Sequence, residues 1–513
     1  MAVLSLDTAT GHPYSLALGS FVVLASLVLY LFHKPTFPRN APKLVDDTIP
    51  LIGALHFFTQ RWDFWERARN RSTTGNFSFY AGQHPVVGVT GQKQEERKVF
   101  FEDKRLAFSE GYATLLAGAP EVKRDNKLLA ENNNDSAFTI YFQKRLIALL
   151  KGNQLRNGLP QLLKDARMLL NGLAAQPEKI TDPFDSIYRM VFQFTMRTVA
   201  CSEIADDQPL LAKVLGLFES IESCATHTGI MYPWVPLPSK MKRTIAGAQL
   251  YGIFKKIVDD RNKTGRKEDD ALQYLMDQGD NIVDIITFVL GALFAGQLNS
   301  GINASWILCY LANNAEWMSR VRKEVEEVAD KYCANKDIPL KERLMEVPIE
   351  AWEGEFPMID YCLKDTIRLQ MFGTAFRKNL SNAEVVINKQ TGEVIPPGYF
   401  AALGVGDIHW NPEIYTNPDE WDPARYLPDR AEDKKEVYAW MGWGLARHPC
   451  LGVRFAKLEN NMIVAFFLAY FDNIQLADKF GNLKAETSPV DRNGHTAHKP
   501  HEPMYLKYQL RQD

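Results

Sequence analysis

Cys450 is the residue in this sequence whose surroundings best suit metal chemistry. It lies in WGLARHPCLG, which runs from Trp443 to Gly452, and an apolar pattern of helical period begins directly after it. A thiolate near the N-terminus of a helix accepts hydrogen bonds from backbone N–H groups, which lowers its pKa. Such a thiolate is an electron-rich ligand for haem iron. Taken alone, one cysteine at a helix start favours a buried, inert side chain, so the function depends on what else the chain carries.

Asp365 and Arg368 form a second pattern with chemical meaning. They lie three residues apart in CLKDTIRL, residues 362–369, where the spacing places both side chains on one helix face. There a carboxylate and a guanidinium form a charge-assisted pair. An exposed pair contributes less than about 1 kcal/mol, whereas removing one partner of a buried pair costs several times as much.

Together these motifs resemble those of the cytochrome P450 family. The haem-binding loop of that family reads aromatic-x-x-Gly-x-Arg-x-Cys-x-Gly, which Trp443, Cys450 and Gly452 match. Ala446 stands where Gly is usual and His448 where Arg is usual. The Arg-His pair before the cysteine is similar to that of the sterol demethylase branch.

The resemblance also implies a buried charge network. Residues 362–369 resemble the family's Glu-x-x-Arg helix, with Asp365 in place of Glu and with Arg368 matching. Residues 421–426 (WDPARY) resemble the segment whose arginine, here Arg425, completes the network beside the cysteine loop.

The cofactor implied by the resemblance is haem b, with Cys450 as the axial ligand of its iron. A haem propionate would be met by His448, by Arg377 at the end of a loop, and by Lys144 or Arg145 on a helix predicted for residues 142–150. For each of these side chains the alternative is a solvent-exposed charge. The implied cofactor-binding residues are Cys450, His448, Arg377, Lys144, Arg145, Trp443 and Gly452.

The longest apolar stretch, residues 281–313, is predicted to be one helix and resembles the family's helix over the haem. There the family carries Ala/Gly-Gly-x-Asp/Glu-Thr, whose small pair leaves room for O₂ and whose acid–alcohol pair relays protons. Here that pair is Leu298-Asn299, and leucine relays no proton. Either Asn299, or Ser300 with ordered water, holds the oxygen ligand and allows oxygenation, or the site rearranges a bound peroxide or dehydrates its substrate; the prostacyclin synthase branch also has Asn here. The implied catalytic residues are Ala295, Gly296, Asn299 and Ser300.

The amino end is predicted to anchor these elements to a membrane. Residues 14–32 carry no charge and have about the length of a bilayer span. Since Lys34, Arg39 and Lys43 follow the stretch and only Asp7 precedes it, the positive-inside rule predicts a cytosolic main body. We therefore expect a short lumenal tail (1–13), a transmembrane anchor (14–32), a proline-rich linker (33–48) and a haem-binding catalytic domain (49–513).

Composition limits the classes of function. The 513 residues carry a net charge of −3, which gives no support to nucleic-acid binding. The six cysteines show no paired spacing, as is usual in a reducing compartment.

The sequence thus predicts a mainly α fold with small β sheets, of the P450 type, preceded by one transmembrane helix in the endoplasmic reticulum membrane. The implied activity is a monooxygenase that receives electrons from NADPH through a cytochrome P450 reductase, or from cytochrome b5, and oxidises a lipophilic small molecule. The looseness of the motifs resembles fungal members that act in specialised metabolism. Three alternatives stay open: a reductase-independent isomerase or dehydratase, a sterol-modifying enzyme, and a haem-binding protein without catalysis.

Overall fold

Helices dominate the described part of the chain, and its strands are short. A computed structural model describes residues 13–31, 33–49, 52–116, 137–151, 153–224, 226–232, 235–494 and 497–512. The helices are α1 (Pro13–Leu31), α2 (His56–Thr59), α3 (Arg61–Arg71), α4 (Gln94–Glu102), α5 (Phe108–Leu115), α6 (Ala137–Leu150), α7 (Asn153–Ala175), α8 (Pro183–Val199), α9 (Ser202–Ala205), α10 (Gln208–Ser223), α11 (His227–Met231), α12 (Pro238–Thr264), α13 (Ala271–Asp277), α14 (Ile282–Ala312), α15 (Ala315–Tyr332), α16 (Leu340–Arg343), α17 (Ile349–Gly354), α18 (Pro357–Gln370), α19 (Gly406–His409) and α20 (Val453–Tyr470).

The strands are short, and most of them pair across long stretches of chain. They are β1 (Phe77–Ala81), β2 (His84–Val89), β3 (Leu106–Ala107), β4 (Ile180–Thr181), β5 (Thr374–Asn379), β6 (Val385–Val386), β7 (Val394–Ile395), β8 (Phe400–Gly404), β9 (Gly444–Leu445), β10 (His448–Pro449), β11 (Phe471–Ala477) and β12 (Tyr505–Leu510). Short 3₁₀ helices cover Leu344–Glu346, Pro423–Tyr426 and Glu432–Lys434.

The largest sheet joins the amino-terminal and carboxy-terminal halves of the chain in the order β1-β2-β8-β5-β3. Strands β2 and β8 are parallel, with Val87 opposite Ala401, and the other pairs are antiparallel. A three-stranded sheet has the order β11-β12-β4, and two hairpins pair β6 with β7 and β9 with β10.

Helix α14 lies at the centre of the helical core. It packs along α8 and also contacts α18 and α20. Two hydrogen bonds join α14 to α8: the Gln297 amide donates to the Tyr188 carbonyl at 2.8 Å, and the Ser305 hydroxyl donates to the Pro183 carbonyl at 2.8 Å. The side chain of Asn281 caps the helix by accepting from the N–H groups of Val283 and Asp284. Two polar side chains of the mainly apolar α14 are thus bonded to the backbone of α8 or of its first turn.

The mainly helical fold with small sheets is the predicted one. The predicted long helix spans Ile282–Ala312, and the one after the cysteine spans Val453–Tyr470. One local expectation was wrong, because Arg377 lies within strand β5 instead of ending a loop.

The amino-terminal stretch forms helix α1, whose side chains between residues 17 and 26 are mainly exposed. By length and composition, the one described helix that passes as a membrane span is Ile282–Ala312, and 47% of its most apolar window is buried inside the protein. Because α14 is the central core helix, its apolar composition reflects packing against other helices. Membrane insertion of α1 stays a prediction.

Candidate functional site

A tight hairpin presents Cys450 at the start of α20. Strands β9 and β10 pair His448 with Leu445, and the Cys450 N–H donates to the Trp443 carbonyl at 2.7 Å. Gly444 has φ +67°, and a Cβ there would lie 2.3 Å from the His448 carbonyl oxygen. Only glycine therefore fits at residue 444 without moving the backbone.

Ala446 lies at the turn of the same hairpin with φ +50°, in the left-handed region. An L-residue in this region costs about 1–2 kcal/mol relative to glycine. The loop therefore keeps the backbone that the family's glycine would give, at the expense of local strain.

The thiol of Cys450 is half-buried, and two opposing effects act on it. Burial raises its pKa, because an ionised sulfur loses hydration, while hydrogen bonds from the backbone N–H groups of Gly452 and Val453 lower it. These donors come from the first turn of α20, where backbone N–H groups have no partner within the helix. A metal cation in place of the thiol proton would remove the burial penalty, because the charge on sulfur would then be compensated.

His448 and Arg377 meet on one side of this hairpin. The His448 ring stacks on Phe108 with centroids 5.0 Å apart, and the Arg377 guanidinium lies 5.2 Å from the centre of the same ring. Burial lowers the pKa of His448 to about 4, and the positive charges of Arg377 and Arg447 add to this effect. The two predicted propionate contacts thus lie in one region of positive potential, which suits an anionic group.

Helix α5 packs against strand β5, which carries Arg377. Gly111 allows the contact, since a Cβ at that position would lie 2.7 Å from the backbone nitrogen of Arg377. Neither Phe108 nor Gly111 was predicted from the sequence as a support of the site. An aromatic residue followed three positions later by a glycine was the available signal, and it is a weak one.

The structure gives Arg145 another partner. Its guanidinium makes two hydrogen bonds to the Asp280 carboxylate, at 2.9 and 2.6 Å, and one to the Gln278 side chain at 3.1 Å. The neighbouring Lys144 is exposed. The ion pair with Asp280 ties α6 to the segment before α14, so the structure supports a structural role for Arg145 and opposes its prediction as a propionate contact.

The predicted catalytic segment of α14 contains exposed residues, although the helix lies in the core. Ala295 and Asn299 are exposed in the middle of a core helix, whereas Gln297 and Ser300 are buried. Beside Gly296, a Cβ would meet no atom within 4 Å. Open space therefore borders the small-residue face of this helix, as a flat cofactor and a small ligand would require.

Glu459 is a buried acid that the sequence analysis did not single out. It lies in α20 with 1% of its surface exposed, and burial raises its pKa to about 8 while the Ser300 hydroxyl lowers it by a hydrogen bond. A charged residue inside the apolar run after Cys450 was the signal that would have revealed it.

The predicted charge network is assembled around Asp365. The Arg368 guanidinium donates to the Asp365 carboxylate at 2.6 Å, and Arg425 approaches the same carboxylate at 3.7 Å. All three side chains have 0% exposure. Asp365 also accepts hydrogen bonds from the Asp422 N–H at 2.6 Å and from the Tyr426 hydroxyl at 3.1 Å. These donors compensate the buried charge and let the shorter acid occupy the place of Glu.

The network reaches the cysteine loop through His409. Arg368 donates to the His409 carbonyl at 3.0 Å, and the His409 ring nitrogen Nε2 accepts from the Met441 N–H at 3.0 Å. The Met441 carbonyl then accepts from the Gly444 N–H at 3.2 Å. The charged pair on α18 is therefore linked to the hairpin that carries Cys450.

Comparison with known proteins agrees with this arrangement. The family model "Cytochrome P450" matches residues 42–480. The cytochrome P450 monooxygenase AacuE of Aspergillus aculeatus is 35% identical over 448 residues, which cover 87% of this chain and 88% of that protein. The chain belongs to the cytochrome P450 family. It is an oxidoreductase of the monooxygenase class.

Two further comparisons define how far this P450 resembles other members. A sterol 14-demethylase of Arabidopsis thaliana is 26% identical, with 90% of this chain and 91% of that protein covered. A cyanobacterial protein, CYP120A1, solved with retinoic acid bound, shares the fold with a TM-score of 0.69 at 18% identity, covering 93% of this chain and 100% of that one.

Family membership implies haem iron as the cofactor of this P450. The residues present fit the group: a half-buried thiol that accepts two N–H groups, a region of positive potential at His448 and Arg377, and open space beside Gly296. A thiolate with hydrogen-bond donors at its sulfur is a known type of haem ligand.

Proposed function

We propose that this P450 is a haem-thiolate monooxygenase of the endoplasmic reticulum membrane that oxidises a lipophilic small molecule. It would use one O₂, one NADPH and one proton to convert a C–H bond into a C–OH group, with water and NADP⁺ as the other products. The observation that carries the proposal is the position of Cys450 just before the start of α20. Helix α20 packs against α14, and α14 contains the small residues Ala295 and Gly296.

Cys450 would bind the haem iron through its sulfur, and the N–H groups of Gly452 and Val453 would stabilise the negative charge on that sulfur. A haem held there would supply the iron chemistry that activates O₂, and one atom of that O₂ would enter the substrate. Trp443 holds the loop through its carbonyl, which accepts from the Cys450 N–H. The protein's part is to fix the ligand sulfur at one place and in one ionisation state.

His448 and Arg377 would bind the haem propionates. Both side chains are held by aromatic contacts before any ligand arrives, since Phe108 lies against each of them. The Arg377 cation and the neutral His448 ring are thus preorganised and would bind an anion with little loss of side-chain entropy. Lys144 is exposed and is a weaker candidate for the same role.

Ala295 and Gly296 would admit O₂ beside the haem, because the small methyl group of Ala295 and the missing side chain of Gly296 leave the helix backbone accessible. Asn299 is exposed on the same part of α14 and would donate its amide N–H to the oxygen ligand. Ser300 is buried and would hold or transfer a proton through its hydroxyl.

Electrons would come from NADPH through a cytochrome P450 reductase, with cytochrome b5 as a second donor. Two of the basic residues near the cysteine hairpin are paired with acids: Arg454 pairs with Glu353 at 2.6 Å, and Lys457 pairs with Asp360. Arg447 is half-buried beside the hairpin. Docking of the reductase would therefore depend more on the shape of this surface and on Arg447 than on a continuous basic patch.

The identity to a fungal monooxygenase exceeds that to the sterol 14-demethylase, which favours a role in specialised metabolism over sterol demethylation. A second candidate function is a reductase-independent isomerase or dehydratase. Leu298-Asn299 favours it, because this pair lacks the acid that normally delivers protons in oxygen activation.

The ferrous–CO difference spectrum of the full-length protein, purified in detergent, tests the haem–thiolate assignment. We expect the red-shifted Soret band of a thiolate-ligated complex. The band should be lost in Cys450→Ser and retained in Cys224→Ser, which changes a partly buried cysteine of α10's C-terminus. A Soret band typical of histidine ligation, or no haem, would contradict the proposal.

Turnover with and without reductase separates the two candidate functions. A candidate substrate library should give oxygenated product only with NADPH and reductase if the protein is a monooxygenase. Product formation from a hydroperoxide in the absence of both would instead support the isomerase or dehydratase.

A further inference from the structure

His409 is a buried histidine beside the segment that leads into the hairpin of β9 and β10. It ends α19, the short helix that follows strand β8, and 0% of its surface is exposed. Its ring nitrogen Nε2 accepts the Met441 N–H at 3.0 Å. The ring also stacks on the Trp440 ring, with centroids 6.5 Å apart and planes inclined by 28°. His409 thus contacts two successive residues of the segment before the hairpin.

The main chain of His409 is held at both of its polar groups. Its carbonyl accepts from the Arg368 guanidinium at 3.0 Å, and Asp365 accepts from that guanidinium at 2.6 Å. Its N–H donates to the Val405 carbonyl at 3.1 Å. A side chain on such a backbone is held in one place by its surroundings, so the Nε2 acceptor is preorganised for Met441.

The ring can accept this hydrogen bond only while it is neutral. Because Nε2 accepts the Met441 N–H, the ring proton is on Nδ1. Burial lowers the pKa of His409 to about 3, and the charge of Arg368 adds to this effect, so the ring is neutral at pH 7. Among the described residues Nδ1 has no hydrogen-bond partner, so the ring directs its polar contact at Met441.

The segment that receives the hydrogen bond packs closely on α18. The Trp440 indole N–H donates to the Lys364 carbonyl of that helix at 3.2 Å. A Cβ at Gly442 would lie 2.3 Å from the Trp440 ring and 2.7 Å from Cγ2 of Ile367, so only glycine fits there. Met441 lies between these two contacts, and its backbone position is therefore set by α18 and by His409 together.

Backbone hydrogen bonds connect Met441 to the residue that would bind iron. The Met441 carbonyl accepts the Gly444 N–H at 3.2 Å, and Gly444 begins strand β9 of the hairpin. The Trp443 carbonyl accepts the Cys450 N–H at 2.7 Å. A displacement of Met441 would therefore be transmitted to the hairpin and to the Cys450 sulfur.

We propose that His409 is a positioning residue for the haem ligand: by accepting the Met441 N–H, it keeps the hairpin where Cys450 binds iron as a thiolate. This inference rests on the proposed haem–thiolate function. Arg368 reaches only the His409 carbonyl, whereas the imidazole reaches Met441, so the side chain adds a contact that the charge network lacks. Without the imidazole, the buried Met441 N–H would lose its acceptor, which is unfavourable.

Hydrogen exchange of the Met441 amide tests the bond in the wild type, without any substitution. In full-length, haem-bound protein, measured by mass spectrometry with fragmentation to single residues, this amide should exchange much more slowly than in the free peptide. Exchange at the rate of the free peptide would overturn the proposal, even if substituted proteins did not fold.

Substitution of His409 separates its hydrogen bond from its volume. His409→Phe keeps a flat ring and removes the acceptor, whereas His409→Gln supplies an acceptor oxygen near the position of Nε2. The measured quantity is the rate at which the thiolate-type CO band is replaced by the band of a complex without thiolate. This rate should rise about tenfold or more in His409→Phe and stay within about threefold of the wild-type rate in His409→Gln.

Urea unfolding distinguishes a positioning role from a contribution to stability alone. In His409→Phe the thiolate-type band should be lost at urea concentrations at which the far-UV circular dichroism is still that of the folded protein. In the wild type and in His409→Gln the two signals should change together. Coincident loss of both signals in all three proteins would overturn the positioning role.

His84→Phe is the matched control. His84 is a partly buried histidine of β2, in the large sheet, and its ring lies edge-on to Phe400 with centroids 5.4 Å apart. Its substitution removes a histidine of similar surroundings from a different sheet and should leave the rate of band loss unchanged. An increase equal to that in His409→Phe would contradict a specific role of His409.

The proposed function and the role of His409 fail separately. A wild type without the thiolate-type CO spectrum would overturn the proposed function. A wild type with that spectrum would overturn only the role of His409 if His409→Phe kept the band at the wild-type rate. The same conclusion would follow if His409→Gln lost the band as fast as His409→Phe.

Discussion

At the scale of single residues, two turn positions of the cysteine hairpin differ in the space they leave for a side chain. Gly444 and Ala446 both have positive φ, but only Gly444 also lacks space for a Cβ. Ala446 is exposed, so its cost is conformational and not a matter of contacts. The departure from the family's glycine therefore alters the stability of the loop without altering its path.

Ala446→Gly should stabilise the protein by about 1 kcal/mol, because the left-handed strain exceeds the entropy that glycine adds to the unfolded chain. The midpoint of urea unfolding of the haem-bound protein, with the thiolate-type CO spectrum as the probe, measures the change.

Ala456→Gly is the control for this substitution. Ala456 lies inside α20, where glycine should destabilise by about 1 kcal/mol. A fall in the midpoint for Ala446→Gly, as in the control, would show that the left-handed turn is not formed in solution.

At the scale of elements, α18 acts on the haem site through the loops that follow it. Arg368 donates to the carbonyls of His409, Pro418 and Glu420, at 3.0, 2.6 and 2.8 Å. A single guanidinium thus fixes three points of the chain that leads to the cysteine hairpin, and the Asp365 carboxylate fixes the guanidinium. Removal of the Asp365 carboxylate should therefore leave the Arg368 charge unpaired and also loosen the loops to which Arg368 donates.

Asp365→Ala should destabilise the protein by about 3–5 kcal/mol, because it leaves the Arg368 charge buried without its acid. We expect a lower yield of haem-bound protein and a loss of the thiolate-type CO spectrum on mild heating. Asp365→Glu restores the charge and should recover most of the spectrum.

The exposed pair of Lys255 and Asp259 provides the comparison. Its side chains are 50% and 60% exposed, so Asp259→Ala should leave haem content and unfolding unchanged. Equal effects of Asp365→Ala and Asp259→Ala would contradict a buried network at α18.

At the scale of the whole molecule, helix α1 and the linker that follows it have different surroundings. The linker after α1 contacts the large sheet: the Ser78 N–H donates to the Lys43 carbonyl at 2.9 Å, and the Val45 N–H donates to the Ser78 carbonyl at 2.9 Å. The side chains of α1 include Leu18, Phe21 and Val23, which are 64%, 67% and 68% exposed. Exposure of these apolar side chains to water is unfavourable, which agrees with insertion of α1 into a lipid phase.

Deletion of residues 1–32 should move the protein from the membrane pellet to the supernatant and keep the thiolate-type CO spectrum. Replacement of Leu18, Phe21 and Val23 by Asp in the full-length chain should have the same effect on fractionation. A deletion variant that stays in the pellet would instead place the membrane contact in the main body.

The predicted topology also has a chemical test. The sequon at Asn262 is exposed on α12, whereas the side chain of Asn76 is buried and inaccessible to a glycosyltransferase. Asn262 should remain unglycosylated if the body is cytosolic. A mobility change at Asn262 after deglycosidase treatment would contradict that orientation.

The sequence alone determined the parts of this protein that depend on local spacing. The helical period after Cys450, the apolar run of α14 and the three-residue interval from Asp365 to Arg368 each fix a helix face, because a helix places residues three and four apart on one side. From these intervals the helices and the charge pair on α18 could be predicted. The fold class and the prediction of Cys450 as a haem ligand came from the resemblance of the motifs to the cytochrome P450 family.

Only the tertiary structure decided which side chains meet across the chain. The pairing of Arg145 with Asp280 and the stacking of Phe108 on His448 join residues that are distant in sequence. No local pattern encodes such contacts, because they depend on how helices pack and on which polar groups lose access to water. The raised pKa of Glu459 likewise follows from its burial in the folded protein.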